Sequence, residues 1–222
     1  MAARGRPRGF DRATALERAM QAFWTHGYET TSMTELTSAM EISSPSLYAA
    51  FGSKEQLFRE AVALYNDTEG GPVTRALTEE PTAYAAVAAV LRENARAYTG
   101  DDRPAGCMIV LAAMNVSDAG ADVRDHLAQW RRSGVEMMAA RLDRGVREGE
   151  LPPDADTATI AAFYTAVLQG MSVQAVDGAR AEDLERVAEC ALAAWGAVTA
   201  SHRTQGEPPP AALPRTPEPA GG

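Results

Sequence analysis

The stretch that decides the fold is SMTELTSAMEISSPSLYAAFGSKEQLF, residues 32–58 of a 222-residue chain. Apolar residues recur at helical spacing from Met33 to Met40, directly after Ser32, which is a candidate N-cap. A second pattern, Ser44–Phe51, opens with a capping serine and with proline at the first helical position. Two such short helices, joined by the tight turn Glu41-Ile42-Ser43, predict a helix-turn-helix.

Helical patterns continue on both sides of this stretch. Upstream, apolar residues recur from Leu16 to Phe23; downstream, Ser53 caps a helix that runs from Lys54 to about Asn66. Longer apolar stripes follow over residues 84–98, 107–111, 123–142, 160–171 and 184–195. Because no segment alternates apolar and polar residues as a strand does, we expect an all-α fold.

The composition is that of an ordinary globular protein, with 45% hydrophobic and 23% charged residues, which excludes a fibrous chain. Two cysteines suit a reducing compartment and form no disulfide framework. The N-terminus has arginines without an apolar core behind them, so no signal peptide is predicted. The longest uncharged stretch, Thr157–Val176, has too many Thr, Ser and Gln side chains for a membrane span. We therefore expect a soluble cytoplasmic protein with no membrane partner.

The net charge of −9 is distributed unevenly. Residues 1–60 hold seven basic and seven acidic residues, so the whole excess of negative charge lies in the remainder. Residues 1–12 alone contain four arginines and one aspartate. This asymmetry indicates an N-terminal arm that faces a polyanion, although an unstructured terminus with incidental arginines would have the same composition.

The residues of the second short helix suit the major groove of DNA. Its serines and alanines are small enough to approach base edges, where hydroxyls form hydrogen bonds and alanines meet thymine methyl groups. Tyr48 can offer its hydroxyl to a phosphate. Lys54 lies in the first turn of the next helix, where its charge opposes the helix dipole unless an anion is bound. The alternative is that both short helices are ordinary members of a bundle.

Residues 10–60 resemble the DNA-binding head of the tetracycline-repressor (TetR) family. The resemblance rests on Ala22-Phe23, Gly27-Tyr28, Thr30-Thr31-Ser32-Met33, Leu36, Ile42-Ser43, Leu47-Tyr48 and Phe51-Gly52-Ser53-Lys54-Glu55-Gln56-Leu57-Phe58. The body is also similar to a TetR ligand domain in length and helix count. Two positions depart from the family pattern: Glu41 stands where glycine is common, and Thr37 where alanine is common. The Glu41 departure predicts a turn that is slightly strained or differently wound.

The resemblance implies a basic arm at residues 1–10, a three-helix helix-turn-helix head at 11–52 and a helical ligand-binding and dimerisation bundle at 53–203. A proline-rich tail at 204–222 is predicted to be unstructured from its six prolines and three glycines. The implied partners are a palindromic double-stranded operator, a second copy of the chain and a small, largely apolar effector; no cofactor is implied. Dimerisation is expected through stripes containing Tyr164 and Leu168 on one helix and Ala191 and Trp195 on another, unless these stripes are intramolecular core.

The family pattern, carried onto this sequence, also implies site residues. Phosphate contacts are expected from Thr31, Ser32, Tyr48 and Lys54, base contacts from Ser43, Ser44, Pro45, Ser46 and Ala49, and minor-groove contacts from Arg4 and Arg6. The effector pocket is expected to use methionines and aromatic residues, although core packing is the commoner role of each. These are Met108, Met114, Trp130, Met137, Met138, Phe163, Tyr164 and Met171.

Three other functions compete with a ligand-controlled repressor. Cys107, predicted at a helix N-terminus, could sense oxidants or electrophiles, or could be a small buried residue. An enzyme is disfavoured because the sequence has no phosphate loop, dinucleotide fingerprint, serine elbow or zinc motif. The three histidines and two cysteines are too scattered for a metal site. A scaffold or purely dimeric binding module without ligand control is the third alternative.

Overall fold

The computed structural model describes residues 10–112, 117 and 120–200, and these residues form helices and no strands. In chain order the helices are α1 (Arg12–His26), α2 (Met33–Met40), α3 (Ser44–Phe51), α4 (Lys54–Glu69), α5 (Gly71–Glu79), α6 (Ala83–Ala97), α7 (Met108–Leu111), α8 (Ala121–Glu148), α9 (Thr157–Val176), α10 (Ala181–Ala193) and α11 (Trp195–Thr199). The predicted all-α fold is confirmed. Arg4, Arg6, Met114 and the tail at 204–222 lie outside the described residues.

Local capping explains where the head helices begin. Ser32 and Glu35 form a reciprocal capping box at the start of α2, and Ser53 accepts a hydrogen bond from the Gln56 amide at the start of α4. The cap of α3 is Ser43 rather than the predicted Ser44, because the Ser43 hydroxyl accepts from the Ser46 amide. The proline therefore occupies the second helical position instead of the first.

Glu41 forms the turn between α2 and α3 in a left-handed conformation, with φ 56° and ψ 39°. The backbone amides of Glu41 and Ile42 donate to carbonyls of the last turn of α2, so the α2–α3 turn closes without glycine. The cost of this conformation for a residue with a side chain is about 1 kcal/mol. The sequence predicted a turn that is either slightly strained or differently wound, and the left-handed conformation of Glu41 fits the strained turn.

An aromatic core joins α4 to α1, α2 and α3, and these four helices together are called the head below. Phe58 of α4 makes edge-to-face contacts with Phe23 and Tyr28, with ring centroids 5.0 Å apart in each case. Trp24 and Tyr65 form a similar pair at 4.8 Å. The same core continues into α7 and the first turns of α8, so the head is packed directly onto the body.

The body is built from α5, α6, α8, α9 and α10 around a second core. Helix α5 follows α4 through the single residue Gly70, in a segment where the sequence analysis predicted no helix. Helix α9 is long and apolar enough to cross a membrane, but Ile160, Tyr164 and Met171 lie in the body core. Together with the packing of α9 against α8 and α10, this is the pattern of a core helix of a folded domain.

Gly106 fixes the start of α7 against α9. Its φ is +74°, and a side chain there would lie 2.7 Å from the Ser172 carbonyl oxygen. This close approach lets the next amide, that of Cys107, donate to the Ser172 hydroxyl at 2.8 Å. Only glycine satisfies both requirements, and the next residue, Cys107, lines the cavity described below.

Candidate nucleic-acid interface and effector cavity

The predicted reading helix exposes an uncharged surface. Leu47 and Phe51 of α3 point into the head core, which leaves the opposite face to solvent. That face carries five of the predicted DNA-contacting residues, Ser44, Pro45, Ser46, Tyr48 and Ala49, with Ser43 next to them at the cap. Tyr48 is 52% exposed, so its side chain is accessible to a partner molecule.

Two further predicted residues frame this surface. Ser32 is exposed at the N-terminus of α2, and Lys54 is half-buried in the first turn of α4. The Lys54 ammonium lies 4.5 Å from the centre of the Tyr28 ring, a cation–π contact that fixes its position. Burial lowers the pKa of Lys54, while the carboxylates of Glu29 and Glu35 act in the opposite direction.

Thr31 is the exception among the predicted phosphate contacts in the described region. Its side chain is completely buried, and its hydroxyl donates to the Gly27 carbonyl at 2.6 Å. The side chain therefore ties the end of α1 to the start of α2 and does not reach the exposed face. The sequence could not separate Thr31 from Ser32, because both are small hydroxyl residues next to a helix start.

The described part of the head is not basic. Residues 10–69 contain four Lys and Arg residues and nine Asp and Glu residues. Arg12 is engaged internally, with its guanidinium 4.4 Å from the Phe51 ring centre and 2.6 Å from a Glu60 oxygen. Any strongly positive contribution from this end of the chain must therefore come from the arginines of residues 1–8.

A cavity of about 240 Å³ lies in the body, beside the end of α4. It is bounded by α4 through α9, and its exposed lining is mainly apolar. Its polar side chains include Asn94 of α6 and Thr165 and Gln169 of α9. A molecule bound there would contact α4, the helix whose other end carries Lys54 in the head.

Only some of the residues predicted to contact an effector line this cavity. Trp130 and Met137 line it. Met108, Met138, Tyr164 and Met171 are buried in the two cores, while Phe163 is 38% exposed at the surface. Lining residues absent from the predicted set include Tyr65, Val73, Tyr98, Val110 and Leu168. A search for methionine and aromatic residues could not find them, because the cavity is formed by six helices whose packing no local pattern encodes.

Cys107 lies at the N-cap of α7, as predicted, and lines the cavity beside Tyr65 and Tyr98. Burial raises the pKa of its thiol, although contacts with the two tyrosines and with nearby backbone act against this. The neutral thiol is therefore favoured, whereas cysteine sensors react as thiolates. Helix α7 is only four residues long, so it provides a weak dipole.

The two stripes expected to form a dimer interface pack within one chain. Tyr164 is fully buried, its hydroxyl donates to the Ala191 carbonyl at 3.2 Å, and its ring centre is 5.8 Å from that of Trp195. The opposite faces of the same helices are exposed and rich in small apolar residues. They contain Ala162, Phe163, Ala166 and Gly170 of α9, and Cys190 and Ala193 of α10.

Within the described ranges, no group of three or more His, Cys, Asp and Glu side chains could hold a metal ion. The buried polar side chains are few, and Thr165 and Ser172 lie on α9 rather than in an array of nucleophile and base.

Comparisons with known proteins agree with this arrangement. Residues 15–61 match the model of bacterial regulatory proteins of the tetR family, and residues 83–206 match the tetracyclin repressor-like C-terminal domain. The chain is 35% identical over 193 residues to the HTH-type transcriptional repressor ComR of Escherichia coli K12, which covers 86% of this chain and 92% of ComR. The E. coli repressor BdcR is 33% identical over 190 residues, covering 86% of this chain and 89% of BdcR.

A solved structure adds a relative bound to DNA. A cysteine mutant of the TetR family transcriptional regulator CifR, complexed with 26-bp double-strand operator DNA, is 48% identical. The match covers 86% of this chain and 100% of the CifR chain, with a TM-score of 0.84.

Proposed function

This chain belongs to the TetR family of bacterial transcriptional regulators, and on that premise we propose that it represses transcription by binding a palindromic operator as a dimer. We further propose that a small, largely apolar effector bound in the helical body releases it from DNA. The family and the matched relatives are regulators, so the chain is not an enzyme. A bacterial regulator of this kind acts in the cytoplasm, where the chromosome is.

The observation that carries the proposal is the exposed, uncharged face of α3. Ser44, Pro45, Ser46 and Ala49 can approach base edges, while Tyr48 and Lys54 can hold the flanking phosphates. The cap of α3 leaves the Ser43 hydroxyl 2.9 Å from that of Ser46, so one of the pair can still donate to DNA. Because α3 has no charged residue, much of the sequence preference would come from DNA shape.

The arginine arm supplies the charge that the described head lacks. In our proposal Arg4 and Arg6 enter the minor groove next to the site read by α3. Without the arm, the excess of acidic residues in the head would repel the phosphate backbone. Affinity should therefore depend on salt through the arm more than through α3.

Dimerisation is proposed through the exposed faces of α9 and α10. Phe163 and Ala166 project from α9 into solvent, and Gly170 leaves open space where a partner helix can approach closely. Two such helices from each copy would form a four-helix bundle that covers this apolar surface. A two-fold axis through the bundle would place the two α3 helices on successive half-sites.

The effector would act through α4. This helix runs from Lys54 in the head to Tyr65 and Glu69 at the cavity, so a ligand that moves one end also moves the other. Release requires that the effector bind more tightly to the form whose reading helices no longer match the operator. The cavity volume lies slightly below the range of about 300–1,000 Å³ usual for drug-sized ligands, which favours a small molecule.

The DNA proposal is tested by selecting bound sequences from a random pool and measuring affinity for the selected duplex by fluorescence anisotropy. Ala49→Glu places a carboxylate on the reading face and should reduce affinity at least a hundredfold. Ala39→Glu is the matched control, because Ala39 is equally exposed on α2 but borders a groove on the side of α1. The assignment of α3 as the reading helix would be contradicted if both variants lost affinity equally, or if neither variant lost affinity.

The dimer proposal is tested with Ala166→Arg, which introduces a charge into the exposed face of α9. Sedimentation should show a dimer for the parent chain and a monomer for the variant, with normal helicity by circular dichroism. Ala39→Arg adds the same charge in the head and should remain dimeric. A monomeric parent chain, or a dimeric Ala166→Arg, would refute this interface.

The effector proposal is tested by filling the cavity. Gly134 lines it from α8, and a Cβ added there would meet no atom within 4 Å, so Gly134→Leu should fill part of the cavity. The variant should bind the operator normally but resist release by any small molecule that releases the parent chain in a library screen. Gly134→Ala controls for the change in helix propensity. If no compound releases the parent chain, a module without ligand control is the better description.

A further inference from the structure

Arg141 of α8 is a buried cation with unused donors. Its side chain is 1% exposed, and Nη2 donates to a Glu150 oxygen at 3.3 Å. Its Nε and Nη1 atoms have no hydrogen-bond partner among the described residues. Because burying an unpaired charged donor is costly, such groups in native proteins are paired with protein, water or a ligand.

Arg141 lines a second cavity, of about 270 Å³, between α5 and α8. Arg144 and Arg147 line it together with Arg141, spaced three residues apart on α8. Arg144 donates through Nη1 and Nη2 to the carbonyls of Thr78 and Glu80, which holds its guanidinium against the end of α5. Its Nε is buried without a hydrogen bond, although a Glu148 oxygen lies 3.8 Å away.

The charges at this cavity favour an anion. Glu150 and Glu148 balance two of the three guanidinium groups, but Arg147 is exposed and forms no ion pair within the described part of the chain. Guanidinium groups bind carboxylates and phosphates through paired N–H donors, and three such groups line one cavity here. Leu77 and Met137 form an apolar wall beside them.

We propose that this cavity is an oxyanion-binding site, occupied by the phosphate or carboxylate group of a small molecule. The anion accepts hydrogen bonds from Nε or Nη1 of Arg141 and from Nε of Arg144, while Arg147 closes over it from the surface. Bound there, it links α5 to α8. The site is separate from the effector cavity, although Thr74 and Met137 line both.

The bound phosphate or carboxylate group could belong to a free ion or to an amphipathic molecule. Calorimetry on the full chain at constant ionic strength distinguishes the two. Inorganic phosphate, acetate and octanoate are titrated separately, with chloride as the balancing ion. Saturable binding of phosphate identifies a site for a free oxyanion. Octanoate binding more tightly than acetate identifies an amphipathic ligand whose chain lies on Leu77 and Met137.

Variants test whether the arginines form the site. Arg147→Gln should weaken binding about tenfold, the scale of one charge-assisted hydrogen bond, without changing stability in anion-free buffer. Arg132→Gln, on an exposed part of α8 outside the cavity, should bind as the parent does. Arg141→Gln should abolish binding; if it does not fold, Arg147→Gln decides the matter. No saturable binding of any of the three anions, or binding unchanged in Arg147→Gln, would overturn the proposal.

Discussion

The head and the body pack their helices with different kinds of side chain. Among the buried residues of the head core, five are aromatic, and four of them form two edge-to-face pairs, Phe23 with Phe58 and Trp24 with Tyr65. The larger body core contains nine alanines and two aromatic residues, and two cavities lie among its helices. Aromatic rings that meet edge to face fix one another's positions, whereas helices in contact through alanines can shift with less loss of packing.

This difference suits a regulator in which one part reads and the other responds. A reading surface must keep its side chains in fixed positions, and the capped, aromatic head does so. In our proposal the body responds to an effector, which requires two arrangements of similar free energy that would differ around its cavities. The contact of α7 and the start of α8 with the head core joins the two parts.

The largest expected difference between the two regions is in the loss of stability when a leucine is truncated to alanine. Leu57→Ala in the head core should lower the free energy of unfolding by about 3–4 kcal/mol, because Leu57 is fully buried among rigid neighbours. Leu168→Ala should cost about 1 kcal/mol, because Leu168 already borders the effector cavity. Urea unfolding measures both. Equal costs would show that the body is as rigid as the head.

The second prediction concerns exposed tyrosines in the two regions. Tyr48→Ala and Lys54→Ala should each weaken operator binding about tenfold for all sequences alike, and Lys54→Ala should reduce the salt slope by about 1. Tyr84→Ala is the matched control, because Tyr84 is 41% exposed in the body, against 52% for Tyr48 in the head. Anisotropy titrations over a range of salt would contradict the account if Tyr84→Ala had the same effect as Tyr48→Ala.

A smaller effect is expected at the turn that departs from the family pattern. Glu41→Gly relieves the left-handed backbone and should raise the free energy of unfolding by about 0.5–1 kcal/mol. The gain is limited because the exposed ion pair between Glu41 and Arg18, at 2.7 Å, is lost. Arg18→Ala measures that loss separately. A destabilised Glu41→Gly would show that this turn carries no strain.

The smallest effect is expected at the junction of the two regions. His126 of α8 accepts a hydrogen bond from the Trp130 indole at 3.2 Å, and burial lowers its pKa. Because the unfolded chain then binds a proton more readily than the folded chain, stability should fall as the pH decreases below about 6.5. His126→Gln should flatten this part of a pH-dependent thermal unfolding profile. An unchanged profile would exclude His126 as the source.

The sequence predicted the head in more detail than the body, and the reason is physical. Capping serines, the proline of α3 and the family motif are local signals, so α1 to α4 lie where they were expected. Errors in the head arose where two small polar residues were adjacent, as at Ser43 and Ser44. Helix α5 was not predicted because Gly70, Gly71 and Pro72 are typical of a break between helices, although proline is well suited to the first turn of a helix.

The cavities could not be predicted in the same way. The effector cavity joins residues as distant in sequence as Tyr65 and Gln169, and only tertiary packing brings them together. Methionine and aromatic content does not distinguish a core residue such as Met171 from a lining residue such as Met137, since both satisfy the same helical period. Likewise, the stripe through Tyr164 satisfied the requirements of an interface and of a core equally well.

Site-specific photocrosslinking tests the central claim, that α3 lies against DNA, most directly. A benzophenone amino acid is placed at position 49 or position 39, the full chain is mixed with the selected duplex, and both samples are irradiated. The account predicts a protein–DNA adduct from position 49, competed away by unlabelled duplex, and none from position 39. An adduct from position 39 alone would contradict it, because the exposed face of α3 would then point away from the bound duplex.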